Sequence, residues 1–236
     1  MQLFVRSYAH PAHNLAADEL LLELAERGEI GPVLRFWESP SYFVTLGYTN
    51  RAATEANLEN CARENVPILR RVSGGGTVLQ GPGSWNYAVV APIPGAPNLD
   101  IEGTNRFVME RNRDLLRELC GQNVEIRGHT DLAIDGRKFS GNAQRRKARF
   151  FLFHGTILLD FDLPLVAKFL GKPAKEPDYR GGRTHGEFIR NLPVSRADLE
   201  TAFARAWGAN EIFGRELDLD ELVAQKYALD SWNLRF

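Results

Sequence analysis

Three consecutive glycines, Gly74, Gly75 and Gly76, follow shortly after a pair of arginines and constrain this chain more than any other feature. Glycine reaches positive φ without steric cost and lets a ligand approach bare backbone N–H groups. Arg70 and Arg71 place fixed positive charge beside them, which suits a phosphate or carboxylate. The alternative is a flexible surface loop flanked by solvated arginines. A second basic segment, about sixty residues further on, favours the ligand-binding interpretation.

That second segment covers residues 128 to 144 and predicts a β-hairpin. Asp135-Gly136 between two alternating runs is typical of a two-residue turn. Strand alternation then places Asp131 and Lys138 near one another across the hairpin. Taken alone, Lys138 could be a solvated strand lysine and Asp131 a surface ion-pair partner of little energetic value.

Composition excludes several classes of protein. The 236 residues include 44% apolar and 25% charged residues, as in an ordinary globular protein. A net charge of −1 gives no support to a nucleic-acid partner. We see no run long enough to span a bilayer and no signal peptide, and we expect a cytoplasmic protein. The only cysteines, Cys61 and Cys120, imply neither a disulfide framework nor a metal cluster.

Periodicity predicts a mixture of helices and strands, and therefore an α/β or α+β sheet domain. We expect Asn14 to cap a helix over 14–27, and Ser195 to cap one ending at Trp207. A helix over 104–120 should end at Gly121. A further helix should begin after Asp162, and residues 171–187 should form a long ordered loop. Other expected elements are strands near 33–37, 42–46, 67–71, 76–79, 85–91 and 150–159, and a short helix over 219–227.

Together the two segments resemble the lipoate–protein ligase family, which is grouped with biotin ligases and octanoyltransferases. The motifs are Arg70 to Gly76, Asp131 to Gln144, and His154-Gly155-Thr156. Weaker similarity extends over nearly the whole chain. The resemblance implies a central mixed β-sheet flanked by helices, like that of class II synthetases and biotin ligases. It also implies one catalytic domain over 1–236, without the accessory domain of longer ligases.

The resemblance also implies a reaction. ATP and Mg²⁺ would convert lipoate, or octanoate, to an acyl adenylate, which a lysine of an acceptor lipoyl domain then attacks. Lys138 matches the catalytic lysine between carboxylate and α-phosphate, and Asp131 matches an acidic residue near the nucleotide or its metal. The remaining predicted binding residues are Arg70, Arg71, Ser73, Gly74, Gly75, Gly76, Thr77, Asn86, Ser140, Gly141, Ala143, His154, Gly155 and Thr156.

The segment from Lys172 to Phe188 is predicted to cover the site and to steer the acceptor domain, which the resemblance implies is acidic. Arg180, Arg183 and His185 would be its contributing residues. The alternative is a surface crossover that makes no contact with the site. The sequence departs from the ligase pattern at two positions near these motifs. Gln80 stands where many ligases have histidine, and Thr130 stands where many have asparagine. A separate polypeptide could supply the missing accessory domain.

Two other functions stay open. A cysteine-dependent octanoyl- or lipoyltransferase on the same fold would need a thiolate near the lysine. Transferases that share the hairpin carry their cysteine shortly before it, near Asn123 in this numbering. Cys61 and Cys120 are instead predicted to be packing residues. A non-catalytic lipoyl-binding protein would keep the glycine loop, but would need neither Lys138 nor Asp131.

Overall fold

The computed structural model describes residues 1–95, 100–171 and 176–236. Its strands form a large mixed sheet and a small one. In chain order they are β1 (Gln2–Val5), β2 (Val33–Trp37), β3 (Phe43–Leu46), β4 (Ile68–Arg70), β5 (Val78–Gln80), β6 (Ser84–Pro92), β7 (Glu125–Arg127), β8 (Asp131–Ile134), β9 (Arg137–Arg146), β10 (Phe150–Leu158) and β11 (Glu211–Ile212).

The large sheet has the strand order β11-β1-β2-β6-β10-β9-β8-β7. Strand β1 runs parallel to β2 and β11, and the other neighbours are antiparallel. The small sheet has the order β4-β3-β5 and is also mixed. These sheets confirm the predicted mixed sheet.

Helices lie against the sheets, as predicted. They are α1 (Pro11–Arg27), α2 (Ala52–Glu55), α3 (Leu58–Arg63), α4 (Ile101–Cys120), α5 (Pro164–Phe169), α6 (His185–Phe188), α7 (Arg196–Trp207), α8 (Asp220–Leu222) and α9 (Asp230–Asn233). A 3₁₀ turn covers Asp178–Arg180 and a π-helical turn covers Val223–Tyr227. No helix of the described residues is long and apolar enough to cross a membrane.

Alternating side chains of β6 show why helices cover both faces of the large sheet. Trp85 and Tyr87 are buried in the core beneath α4 and α7. Ala88 and Val90 are buried in a second core that contains the apolar face of α1. Neighbouring residues of a strand point to opposite faces, so a strand that is buried along nearly its whole length, as β6 is, must be covered on both sides.

Helix ends follow the predicted capping chemistry in α7 and α4, but not in α1. The Ser195 side chain accepts a hydrogen bond from the Asp198 backbone N–H, and Gly121 ends α4 in the left-handed conformation. The prediction that Asn14 caps α1 was wrong. Helix α1 begins at Pro11, and Asn14 is buried in its first turns, where its side chain bonds both backbone groups of Tyr8. Pro11 occupies the first helical position, where proline is common, and this is the sequence signal for the helix start that the prediction missed.

The predicted loop over 171–187 contains more regular structure than we expected. Residues 172–175 lie outside the described residues. The remainder forms the 3₁₀ turn and α6, and Thr184 and Glu187 form a capping box at the start of that helix. We call residues 176–190 the covering segment.

Candidate active site

A cavity of about 800 Å³ lies beside β9 and β10 and collects most of the predicted site residues. The covering segment, the hairpin and the glycine loop all contribute to its wall. The predicted residues that line it are Arg71, Gly75, Gly76, Thr77, Asn86, Asp131, Lys138, Ser140, Gly141, Ala143, His154, Gly155, Thr156, Arg180 and His185.

The predicted contact between the hairpin carboxylate and ammonium is present. Lys138 Nζ lies 2.7 Å from Asp131 Oδ1. Asp135 and Gly136 both have positive φ, as the predicted tight turn requires. A bulge between Leu132 and Ala133 shifts the register, so that Asp131 pairs with Gly141. The Lys138 side chain therefore extends back over Gly141 to reach its partner.

Tyr179 of the covering segment completes this group. Its hydroxyl donates a hydrogen bond to Asp131 Oδ2 at 2.8 Å. Burial, and then the adjacent Asp131 carboxylate, raise the pKa of the Tyr179 phenol, which keeps it a donor. Sequence reasoning did not assign a role to Tyr179, because the sequence separation of 48 residues hides this contact.

Arg71 holds the glycine loop in shape. Its guanidinium donates to the carbonyls of Gly74 and Gly76 and to Ser73 Oγ. Burial lowers the pKa of Arg71 to about 10, and no carboxylate of the described residues forms an ion pair with it. Of the three loop glycines, only Gly75 has a positive φ, of 85°. A buried cation without a counter-charge at the cavity wall favours an anionic ligand.

Four of the predicted residues do not line the cavity: Arg70, Ser73, Gly74 and Arg183. Arg70 is fully buried, and its guanidinium donates to backbone carbonyls. It joins the loop at Gly47–Asn50 to the segment Trp232–Asn233. The expectation that Arg70 presents its charge to the ligand is therefore wrong. Its side chain instead connects the region before the glycine loop to residues 232–233.

His154 belongs to a polar chain that begins in α1. His154 Nδ1 lies 2.9 Å from Asp18 Oδ2, and His154 Nε2 lies 2.5 Å from Ser73 Oγ. Arg35, which is fully buried, donates to Asp18 Oδ1. Burial alone would raise the pKa of Asp18, but Arg35 and His154 outweigh it and hold that pKa below its usual value.

The order Asp18, His154 and Ser73 resembles that of a nucleophilic triad. Ser73 is fully buried, however, and it does not line the cavity. The chain therefore positions the glycine loop against β10. Asp18 was missed in the sequence because it lies in the middle of an amphipathic helix, where an acidic residue is usually solvated.

A second polar chain crosses the cavity floor. Thr156 donates to Asn86 Oδ1 at 2.6 Å and accepts from Gln80 Nε2 at 3.3 Å. Gln80 Oε1 is buried and has no hydrogen-bond partner among the described residues, so it is available to a donor in the cavity. At the hairpin, the Asn142 side-chain amide donates to the carbonyl of Thr130, the residue just before Asp131.

The covering segment is anchored rather than free. Arg180 is buried, donates to the Arg183 carbonyl, and lies 3.6 Å from Glu176. Arg183 donates to the carbonyls of Arg180 and Tyr179. Burial, and then Arg180, lower the pKa of His185. The segment lines the cavity, and Arg180 is buried there and not displayed at the surface. That the segment steers an acceptor domain stays a prediction.

Neither cysteine lines the cavity. Cys61 is buried in the core around α3 and α5, and burial raises the pKa of its thiol. Cys120 is partly buried at the end of α4 and packs against the main core. Asn123 accepts a hydrogen bond from Arg117. A raised thiol pKa and a place outside the cavity do not suit a nucleophile.

Acidic and histidine side chains do not form a metal cage in the described part of the chain, where no group of three or more could hold an ion. Asp131 offers a single carboxylate. That suits Mg²⁺, which usually takes one or two protein carboxylates and completes its shell with phosphates and water.

Comparison with known proteins identifies the family. The sequence profile of the lipoyl protein ligase A/B catalytic domain matches residues 10–196. This chain belongs to that family. Octanoyltransferase LipM of Brevibacillus brevis is 27% identical to it over 95% of each chain. A putative lipoate-protein ligase A of Aeropyrum pernix is 34% identical over 90% of this chain and 81% of its own.

Solved structures confirm the fold. A putative lipoate protein ligase of T. acidophilum with bound lipoic acid matches with a TM-score of 0.81, at 23% identity, over 100% of this chain and 98% of that one. A lipoate-protein ligase A bound with ATP also has a TM-score of 0.81, at 23% identity, over 99% and 98% of the two chains. This chain is thus an enzyme of the lipoate ligase and octanoyltransferase family.

Proposed function

We propose that the chain is an ATP-dependent lipoate–protein ligase that works in the cytoplasm. The observation that carries this proposal is the combination at the cavity wall: Lys138 and Asp131 form an ion pair there, while both cysteines lie elsewhere. Adenylation needs positive charge where two anions meet, and it needs no protein nucleophile. Transfer through an enzyme thioester needs a thiolate within reach, which this cavity does not offer.

In the first step a carboxylate oxygen of lipoate attacks the α-phosphorus of ATP, and pyrophosphate leaves. Lys138 neutralises the two anions where they meet, and the buried Arg71 supports negative charge near the glycine loop. In the second step the neutral ε-amine of an acceptor lysine attacks the acyl carbonyl. The C–N amide bond forms, the bond to AMP breaks, and the amine loses a proton to solvent.

Mg²⁺ would contribute by neutralising phosphate charge when it is bound. Asp131 is the candidate carboxylate for holding it. The acyl tail would occupy the apolar part of the cavity wall, to which Leu15, Trp37, Leu79 and Val166 contribute. The acceptor would be the lysine of a lipoyl domain, admitted past the covering segment.

A cysteine-dependent octanoyltransferase is the second candidate, favoured by the similarity to LipM. Pyrophosphate release separates the two functions. With lipoate, ATP and Mg²⁺ but no acceptor, the ligase releases pyrophosphate and accumulates acyl-AMP. If the protein acylates a lipoyl domain only from an octanoyl carrier protein, and releases no pyrophosphate with free acid, it is a transferase. Binding of lipoate with neither reaction would indicate a non-catalytic lipoyl-binding protein.

A further inference from the structure

The Asp131 carboxylate connects the covering segment to the catalytic lysine. One of its oxygens lies 2.7 Å from Lys138 Nζ, and the other accepts the Tyr179 hydroxyl at 2.8 Å. Each oxygen thus has a different partner, on a different segment of the chain. Rotation of the Asp131 side chain would break both contacts at once.

The covering segment is also attached to the backbone of the same lysine. The Arg190 N–H donates to the Lys138 carbonyl at 2.9 Å, and Ile189 forms a parallel bridge with Lys138. The Tyr179 ring packs against Phe188 with their centroids 5.1 Å apart. The segment therefore reaches Lys138 by two routes, through its own backbone and through the Asp131 side chain.

We infer that Tyr179 is a positioning residue that fixes Asp131 and, through it, the Lys138 ammonium. This inference rests on the proposed reaction at this cavity. When substrate anions arrive, Lys138 turns part of its charge toward them and Asp131 loses part of its counter-charge. A partly buried carboxylate that loses a donor is costly to keep in place. The Tyr179 hydroxyl keeps Asp131 bonded, so Lys138 stays aligned with the substrate anions.

Tyr179→Phe tests this inference, because it removes only the hydroxyl. The matched control is Tyr42→Phe, a tyrosine that packs on Phe161 outside the cavity lining. We expect Tyr179→Phe to lower kcat by about tenfold, in line with the loss of one hydrogen bond to a charged group, with a smaller change in the KM for lipoate. The control should keep the wild-type kcat.

A double-mutant cycle with Asp131→Ala shows whether Tyr179 acts through Asp131, because alanine removes the oxygen that accepts the Tyr179 hydroxyl. If it does, Tyr179→Phe should cost little in the Asp131→Ala background, because the two changes remove the same contact. Amide hydrogen exchange gives a second readout without any substrate. Both single variants should speed exchange in the covering segment and leave the core strand β10 unchanged.

Two results would overturn the inference: a wild-type kcat in Tyr179→Phe, or losses that add fully with those of Asp131→Ala. The assay is acylation of a lipoyl domain from whichever donor the wild type accepts, either ATP with lipoate or octanoyl carrier protein. A wild type that uses only the carrier protein refutes the ligase proposal. The same cycle with that donor still decides the role of Tyr179.

Discussion

Gly141 leaves the space that the Lys138 ammonium occupies. A Cβ at Gly141 would lie 2.8 Å from Lys138 Nζ and 2.9 Å from its Cε. The β-bulge places Gly141 opposite Asp131, so the lysine side chain crosses Gly141 to meet the carboxylate. The absence of a side chain at position 141 is thus a condition for the ion pair.

Gly141→Ala should therefore displace the lysine and reduce adenylation by about 10- to 100-fold, as a misplacement of roughly 1 Å does at other sites. Stability should change little, since the atoms that must move are the flexible end of a side chain. Pyrophosphate release and thermal unfolding measure the two effects. The matched control is Gly31→Ala, where a Cβ would meet nothing within 4 Å. Equal activity in the two variants would show that the placement of Lys138 is not critical.

Lys138→Ala removes the charge itself. We expect a loss of about 3–4 kcal/mol of transition-state stabilisation, or roughly 10²–10³ in rate, comparable with the removal of one electrostatic stabiliser. The fold should survive, since the Lys138 side chain is 26% exposed. Lys168→Ala serves as the control because Lys168 pairs with Glu64 and does not line the cavity. Near wild-type adenylation by Lys138→Ala would remove this residue from the mechanism.

The cysteines provide a test of the transferase alternative. A Cys61→Ser, Cys120→Ser double variant should keep its turnover, because neither thiol lines the cavity. Burying a hydroxyl at position 61 should cost about 1–3 kcal/mol of stability. Activity is therefore measured well below the melting temperature of the variant. A folded variant without transfer activity, together with a trappable thioester on the wild type, would support the transferase.

Local patterns predicted the hairpin and its ion pair because a two-residue turn fixes strand register over a short distance. The bulge after Leu132 had no such signal, and it is what puts Gly141 beneath the lysine. Arg70 and Arg71 look equivalent in sequence. Only the structure distinguishes them, because it shows that Arg70 donates to the backbone carbonyls of Trp232 and Asn233.

Two residues of the site, Asp18 and Tyr179, could not be predicted from the sequence because their contacts are long-range. Asp18 and His154 are 136 positions apart, and helix periodicity alone does not show that one polar residue of α1 faces the sheet. Tyr179 reaches Asp131 only because α6 returns the covering segment to β9. Pairings of this kind depend on the whole fold, so patterns within short windows do not reveal them.

Loss of Arg180, the buried arginine of the covering segment, should affect adenylation and acyl transfer to a similar extent. Arg180→Ala removes the contacts with Glu176 and the Arg183 carbonyl. We expect adenylation and acyl transfer to fall by similar factors, since the loosened segment forms a wall of the shared cavity. Separate assays of pyrophosphate release and acceptor acylation measure this. A rise only in the KM for the acceptor, with a weaker salt dependence, would instead support a role of this arginine in steering the acceptor.

The buried pair between Asp18 and Arg35 should make stability depend on pH. The pKa of Asp18 is held below its unfolded value of about 3.9, so its contribution is fully present above that pH and is lost as the pH falls through the folded pKa. Asp18→Asn leaves the Arg35 charge buried without its counter-charge, which should cost about 3–5 kcal/mol at pH 7. Urea unfolding from pH 7 to pH 3 should show this difference shrinking at the acidic end. Glu59→Gln, at an exposed pair with Arg63, is the control and should change the free energy of unfolding little at any pH. A difference between wild type and Asp18→Asn that stays constant with pH would show that this carboxylate is not the group that titrates.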